Sequence, residues 1–363
     1  MGKIKQPQST HLSFTQSNYI ERKNIDNIFI GEILKIEKEI KSNVDDTPYH
    51  IINIFGEAGI GKSTTQHHII ESLIPSENIL RESKGFSIKY FYLDLAYKYL
   101  NTYSFILKVI ESFYHKYGSN DFICTSCALY KLSLSSGQVF DSTLLHQANE
   151  HINKKASKTA LNFAKSFPLL SNALEIYGIL RSSDNLSNKE VFEKFERFAE
   201  TISTDSLDNV RSIVRSCNKE IEDNIIFYFA QDLRMIILKY GAPFVFFIDS
   251  FDKQKSSTSF GELERPILQL IEELPYVLWV IAGRDCLFDV SPNWKNLPII
   301  DKELLSFSES ETKEYIEKAQ LPSEITQLFY KLSKGNPLCL KQLSNRFTKL
   351  KESNEDFFDE SKY

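Results

Sequence analysis

The feature that most constrains this chain is a cluster of glycines near residue 60. The chain has only 13 glycines among 363 residues, below the usual share of about 7%. Three of them, Gly56, Gly59 and Gly61, lie within six residues of one another. They belong to the octapeptide GEAGIGKS, which matches the phosphate-loop pattern GxxxxGK[ST] at every fixed position. The rest of the fold therefore has to supply a strand before this loop and a helix after it.

The flanking sequence predicts that context. His50–Phe55 (HIINIF) is a short β-rich run, and Lys62–Ile74 carries apolar residues at helical spacing. In such a loop, backbone N–H groups surround phosphate oxygens and the helix N-terminus adds a partial positive charge. We expect Lys62 to contact the β- and γ-phosphates and the Ser63 hydroxyl to ligate Mg²⁺. The predicted nucleotide-binding residues of the loop are Gly56, Glu57, Ala58, Gly59, Ile60, Gly61, Lys62, Ser63 and Thr64.

Further apolar runs predict a parallel α/β sheet. Ser87–Leu95, Pro243–Asp249 and Tyr276–Gly283 are predicted strands, and Leu297–Ile300 is a shorter candidate. The second and third of these are continuously apolar at their centres, which is typical of strands covered on both faces. Because helical stretches separate the strands, the pattern favours parallel pairing.

Two acids and one arginine follow the predicted strands. Asp249 ends the run Phe244–Ile248, and we expect it to be the second magnesium ligand. Asp252 lies three residues further on and is the candidate for orienting the attacking water, while Arg284 is the candidate for sensing the γ-phosphate. Each has an alternative: Asp249 and Asp252 as cap or turn residues, and Arg284 as the partner of Asp285 or another acid.

The predicted domain organisation is a nucleotide core that is interrupted by one long helical insertion and followed by a small helical lid. The Ser308–Glu311 segment offers a capping box, and Gly335-Asn336-Pro337 interrupts the helices that follow it. We predict a flexible N-terminus at 1–15, a core at 16–95 and 225–300, a helical insertion at 96–224, a helical lid at 301–350, and an acidic tail at 351–363.

Composition narrows the class of protein. The net charge is −5, from 43 basic and 48 acidic residues, so a basic footprint over the whole chain is absent and nucleic acid is a possible but not an indicated partner. Five cysteines are too few for a disulfide scaffold, and we interpret Cys124 and Cys127 as ordinary thiols. No apolar run is long enough for a membrane span, so we expect a cytoplasmic protein.

In their order, the motifs resemble those of the signal-transduction ATPases with numerous domains (STAND). This is a branch of the AAA-like P-loop ATPases that is related to NACHT and NB-ARC proteins. GEAGIGKST is similar to their Walker A motif, and FVFFIDSFD is similar to their Walker B motif. WVIAGRD resembles their sensor strand, which ends in arginine, and GNPLCL resembles the GxP motif of their helical lid.

The resemblance implies a switch that is held closed by ADP and opened when ATP exchange allows assembly with itself or with a protein partner. It also implies that Pro337 packs near the adenine and that ATP, ADP and Mg²⁺ are the cofactors. Many relatives end the Walker B motif with Asp-Glu, whereas Lys253 follows Asp252 here, so we expect slow hydrolysis. Two alternatives stay open: an AAA-type DNA-associated ATPase of the loader or origin-recognition kind, and a nucleotide-bound interaction module without turnover.

Overall fold

The computed structural model describes most of the nucleotide core and the C-terminal helices. It covers residues 19–42, 49–75, 88–95, 102–117, 216–254, 260–274 and 276–352, with single positions at 122, 124, 125, 128, 129, 132, 209, 212 and 213. The predicted 1–15 segment, Cys127 and the greater part of the 96–224 insertion lie outside the described residues, as does all but the first two positions of the 351–363 tail.

A five-stranded parallel sheet forms the centre of the described structure. The strands are β1 (His50–Phe55), β2 (Lys89–Asp94), β3 (Phe244–Asp249), β4 (Val277–Gly283) and β5 (Ile299–Glu303). Their order is β2-β3-β4-β1-β5, and every neighbouring pair is parallel. Since all carboxyl ends lie at one edge of such a sheet, the turns after β1, β3 and β4 meet there. The α/β prediction is confirmed.

The central strands are buried because their side chains are apolar on both faces. Every residue of β3 and β4 is buried. Aromatic rings fill one part of this core: Phe246 stacks on Trp279 with ring centroids 4.5 Å apart, and Phe91 lies 5.2 Å from Phe246. Offset aromatic pairs of this kind add to the burial of apolar area, so the sheet is held by packing across several strands.

Helices cover the sheet and form the C-terminal part of the chain. Around the sheet they are α1 (Lys23–Ser42), α2 (Lys62–His68), α3 (Thr102–Tyr117), α4 (Asn218–Tyr240), α5 (Phe260–Glu273) and α6 (Leu287–Val290). The C-terminal part contains α7 (Glu309–Lys318), α8 (Thr326–Ser333) and α9 (Pro337–Glu352). Short 3-10 turns lie at Phe251–Gln254, Pro292–Trp294 and Ser323–Ile325. None of these described helices is long and apolar enough to cross a membrane.

Buried polar side chains fix two helices against the sheet. His50 of β1 lies within 2.7 Å of Glu32 and 2.9 Å of Glu39, both on α1. Gln66 of α2 is fully buried and its Nε2 donates to the carbonyl oxygens of Ile248 and Val280. Buried polar groups are stable where they are hydrogen-bonded, so these contacts set the positions of α1 and α2 on neighbouring strands.

The lid, defined here as residues 304–352, has a small core of its own. Its buried apolar residues are Phe307, Tyr315, Ile316, Ile325, Phe329 and Leu340, and Ile20 from the N-terminal segment packs among them. The predicted capping box is confirmed: Ser308 accepts from the Glu311 N–H, and the Glu311 carboxylate accepts from the Ser308 N–H.

Two element boundaries and one helix type differ from the sequence prediction. The apolar spacing of Ile225–Leu238 predicts a helix, and α4 begins earlier, at Asn218. The last strand runs over Ile299–Glu303 rather than Leu297–Ile300. The helix after the loop becomes a π-helix at Ile69–Leu73. A π-turn changes the hydrogen-bond spacing without a clear signal in apolar periodicity, so only the structure reveals it.

Candidate nucleotide site

The loop after β1 folds over its own lysine. Lys62 begins α2, and its Nζ donates to the carbonyl oxygens of Gly56 at 2.7 Å and Glu57 at 2.8 Å. The ammonium group therefore lies across the loop, close to the backbone that a phosphate group would approach. Gly61 precedes the helix with a positive φ of 101°, so the chain enters α2 through a left-handed residue.

The first turn of α2 presents two hydroxyl groups. Ser63 and Thr64 are exposed, whereas Thr65 is buried and donates through its Oγ1 to the Gly61 carbonyl at 3.0 Å. A helix N-terminus favours anions through its dipole and its unpaired N–H groups. Ser63 thus has a solvent-accessible hydroxyl next to a site suited to phosphate.

Asp249 is buried at the end of β3, with 3% of its surface exposed. Its Oδ1 accepts from the Ser250 N–H at 2.7 Å, and its Oδ2 accepts from the Tyr92 hydroxyl at 3.0 Å. A carboxylate offers about four lone-pair positions, so these two bonds leave acceptor capacity for a cation or its water ligands.

Asp252 and Arg284 lie together across the turns that follow β3 and β4. Asp252 Oδ1 accepts from the Arg284 backbone N–H at 3.0 Å, and Oδ2 lies 3.5 Å from Arg284 Nε. The Arg284 side chain is 59% exposed, against 10% for Asp252. The two predicted catalytic residues are therefore partners in this structure, which matches the ion-pair alternative for Arg284 with Asp252 as the acid.

The donor chemistry of the site fits magnesium. Mg²⁺ binds hard oxygen ligands and is usually held by one or two protein groups plus substrate phosphates. The Ser63 hydroxyl and the Asp249 carboxylate are groups of this kind. Among the described residues, no group of three or more His, Cys, Asp or Glu side chains is arranged to hold a metal by itself.

The lid touches the loop directly. Asn336 Nδ2 donates to the Ala58 carbonyl at 3.1 Å, and the Leu338 N–H donates to the Gly59 carbonyl at 3.1 Å. A Cβ at Gly59 would lie 2.8 Å from the Leu338 Cβ, and Gly59 has φ of 78°. Glycine is therefore required at position 59 both for the backbone conformation and for the close approach of α9.

The turn before α9 is held by a helix cap and by contacts with the segment after β5. Asn336 Oδ1 accepts from the N–H groups of Leu338 and Cys339, so Asn336 caps α9 and Pro337 takes its first position. A Cβ at Gly335 would meet the Phe307 carbonyl oxygen at 2.0 Å, and the Phe307 N–H donates to the Gly335 carbonyl. The Gly335-Asn336-Pro337 turn is thus wedged between the loop and the segment after β5.

A cleft of about 1160 Å³ opens beside the loop. Its walls come from the start of α1, the loop residues Glu57 and Ile60, the segment after β5, and the lid residues Tyr330 and Lys334. Pro337 is half-buried and is not among the residues that line the cleft. The expectation that Pro337 packs near the adenine stays a prediction.

The N-terminal segment Tyr19–Arg22 connects α2 with the lid. Tyr19 stacks on His68 with ring centroids 4.1 Å apart, and its carbonyl accepts from Lys318. Arg22 lies 4.6 Å from the Phe307 ring centroid, donates to the Leu305 carbonyl and pairs with Glu311 at 3.6 Å. Burial lowers the pKa of Arg22, although Glu311 opposes the shift.

Sequence reasoning did not find several of these residues. Tyr92 is the last of three consecutive aromatic residues in β2, and Gln66 looks like an ordinary polar residue of a helix. Asn336 offered a signal, because Asn before Pro at a helix start is a capping pattern.

Comparisons with known proteins give distant structural similarity. The chain matches no protein-family model and no curated protein. It is similar to the Walker-type ATPase of Pyrococcus abyssi, at 12% identity and a TM-score of 0.41, over 93% of this chain and 71% of that one. It is also similar to the Orc1 protein of Aeropyrum pernix, solved in complex with DNA, at 10% identity and a TM-score of 0.42. The match covers 93% of this chain but 62% of the Orc1 chain, less than two thirds of its length.

The class of the protein follows from its own topology. A parallel sheet of order β2-β3-β4-β1-β5 carries a complete phosphate-loop motif between β1 and α2, with an acid at the end of β3. This is the α/β fold of the P-loop NTPases, followed in sequence by a helical C-terminal part.

Proposed function

We propose that this protein is an ATP-binding switch with slow Mg²⁺-dependent hydrolysis, in which the nucleotide state changes the position of the lid. Lys62 and the first turn of α2 would hold the phosphates, and Ser63 and Asp249 would hold the magnesium. When bound, that ion would neutralise phosphate charge. The finer assignment to the STAND branch rests on the order of the sequence motifs.

One observation carries the proposal: the lid is hydrogen-bonded to the phosphate loop itself. The Ala58 and Gly59 carbonyls accept from Asn336 and Leu338, while the N–H groups of such a loop are the ones that bind phosphate. A change in the loop on phosphate binding would therefore alter the support of α9. A ligand shifts a conformational equilibrium only if it binds the two states unequally, and this contact supplies a physical reason for unequal binding.

The pairing of Asp252 with Arg284 supports the slow turnover. An aspartate that is engaged by an arginine has to exchange that partner before it can orient a water. Substitution of the Arg284 side chain would release Asp252 Oδ2 and leave Oδ1 bonded to the backbone N–H of residue 284. Substitution of Asp252 would leave the Arg284 guanidinium without this partner. Both residues keep their predicted roles in the proposal, with the ion pair as the resting state.

Nucleotide carried by the purified protein is the direct test. Nucleotide is extracted from freshly purified wild type and Lys62→Ala and quantified by chromatography. We expect bound ADP in the wild type and its loss in Lys62→Ala, because the ammonium group no longer faces the phosphates. ATP at near-full occupancy would favour the module without turnover. An empty wild-type site that also fails to bind added Mg-ATP or Mg-ADP would contradict the proposal.

Coupling to the lid needs a second measurement on the same samples. Hydrogen exchange of α9 is compared with and without added nucleotide in wild type and in Asn336→Ala, which removes the bond to Ala58 and the helix cap. We expect nucleotide to change exchange in the wild-type lid and to change it less in the variant. Equal changes in both proteins would show that the bond from Asn336 to Ala58 does not transmit the nucleotide state.

A further inference from the structure

Asp249 is held by a hydroxyl group from the neighbouring strand. We propose that Tyr92 is a positioning residue for magnesium, because its hydroxyl holds the Asp249 carboxylate in the orientation that the ion requires. The inference rests on the proposed nucleotide-binding function and names a residue that the motifs leave out. The bond from the Tyr92 hydroxyl to Asp249 Oδ2 is 3.0 Å long.

The strand register places Tyr92 to reach Asp249. In the β2–β3 pair, Tyr92 lies opposite Phe247 and Asp94 lies opposite Asp249. Residues two apart on a strand share a face, and diagonal neighbours are within reach of a long aromatic side chain. Tyr92 therefore extends towards the carboxyl edge of the sheet and meets Asp249 from the side of the edge strand.

The ring of Tyr92 is itself held by the helix that follows the phosphate loop. His67 belongs to α2, and its ring centroid lies 4.7 Å from that of Tyr92. The same tyrosine thus contacts α2 with its ring and β3 with its hydroxyl. This arrangement fixes the distance between the helix that carries Ser63 and the carboxylate of Asp249.

Two hydrogen bonds define the plane of the Asp249 carboxylate. One comes from the Ser250 N–H, a backbone group at a residue with φ of 60°. The other comes from Tyr92, and a single substitution can remove it without changing the backbone. Partners that orient a ligating carboxylate typically change metal affinity by about 10- to 100-fold when they are removed.

The test compares two tyrosines of the same strand. Tyr92→Phe removes the hydroxyl and keeps the ring against His67. Tyr90→Phe makes the same change two positions before Tyr92 on β2. The ring of Tyr90 packs on Phe247 of β3. Binding of the nonhydrolysable analogue AMP-PNP is measured by calorimetry at free Mg²⁺ concentrations from zero, in EDTA, to saturation. Thermal unfolding of each variant is recorded in parallel.

We expect Tyr92→Phe to raise by about 10-fold the free Mg²⁺ concentration at which AMP-PNP binding is half-maximally tightened, with binding in EDTA unchanged. The unfolding temperature should fall slightly, because one hydrogen bond to a buried carboxylate is lost. Tyr90→Phe should match the wild type in its Mg²⁺ midpoint and in its binding in EDTA. An unchanged Mg²⁺ midpoint in Tyr92→Phe would overturn the proposal, and so would an equal loss of binding in EDTA, which would assign Tyr92 a structural role. A wild type that binds no AMP-PNP would instead contradict the proposed function itself.

Discussion

The sheet and the lid are stabilised in different ways. The sheet core is continuous: β3 and β4 are buried along their full length, and aromatic rings such as Phe246 and Trp279 connect neighbouring strands. The lid has a separate and smaller buried cluster around Phe329 and Leu340. Its contact with the loop after β1 depends on two hydrogen bonds, from Asn336 to Ala58 and from Leu338 to Gly59, and on the close approach of Leu338 to Gly59.

The difference indicates which part of the molecule can move. Regions with few buried contacts open at a lower free energy than a continuous core. The sheet should therefore keep its structure while the lid detaches and returns. This division is what the proposed switch requires, because the candidate nucleotide site on the sheet would stay formed while the lid changes position.

The largest effect is expected from a change in the sheet core. Phe246→Ala removes a fully buried ring that packs against Trp279 and Phe91, and it should lower the free energy of unfolding by about 3–5 kcal/mol. Denaturant unfolding monitored by circular dichroism measures this loss. If the sheet is the cooperative unit, hydrogen exchange should increase in every described strand, and an increase confined to β3 would contradict the comparison.

A comparable loss of stability, confined to the lid, is expected when Gly335 is replaced by alanine. Gly335→Ala would place a Cβ at 2.0 Å from the Phe307 carbonyl oxygen at a φ of 74°, which should cost about 3 kcal/mol through strain and displacement. Hydrogen exchange should increase in α7, α8 and α9 and not in the sheet. Gly31→Ala is the matched control, because a Cβ there meets nothing within 4 Å and should stabilise α1 by about 0.5–1 kcal/mol. Exchange that increases equally in sheet and lid would remove the distinction between them.

The third expected effect is a dependence of stability on pH, and it is of similar or smaller size. It arises in α4, whose buried apolar residues belong to the same core as the sheet. Asp232 of α4 is buried and accepts bonds from the Cys124 and Thr125 N–H groups and the Thr125 hydroxyl. Burial raises its pKa from 3.8 to about 6, so the folded state resists ionisation and stability is lost as pH rises from about 4 to about 6. The loss amounts to at most about 3 kcal/mol.

Asp232→Asn should remove that slope, since an amide does not titrate in this range. Chemical denaturation at several pH values between 4 and 7 measures the free energy of unfolding in both proteins. The difference between wild type and variant should change between about pH 4 and about pH 6 and level off above that. A constant difference would mean that Asp232 ionises in the folded state as it does in the unfolded chain.

Much of the fold could be predicted because apolar patterning decides it. The predicted strand at His50–Phe55 matches β1, and the predicted third and fourth strands match β3 and β4 to within a residue. The start of α4 was missed because its cap is Cys217, paired with Glu220 through the Cys217 N–H, whereas a sequence search for a capping box looks for Ser or Thr.

The residues of the candidate site also differ in whether local sequence or long-range contacts define them. A phosphate loop is specified by local backbone needs, so its residues can be found from spacing alone. Tyr92, Gln66 and Arg22 act through contacts between segments that are far apart in the chain, and one sequence carries no direct signal for such pairs. The predicted roles in nucleotide and magnesium binding, in catalysis and in assembly all stay predictions, as does the DNA-associated alternative. The residues concerned are the loop residues Gly56–Thr64, Asp249, Asp252, Arg284 and Pro337.

The composite core of the lid has a consequence for synthesis of the chain. Ile20 packs among residues as distant as Leu340, so its partners emerge from the ribosome long after it does. At about 5–20 residues per second, the wait is roughly 15 to 60 s. During that interval the lid cannot close around Ile20, and the apolar residue is a potential binding site for chaperones. The lid should therefore be the last part of the described structure to form during translation.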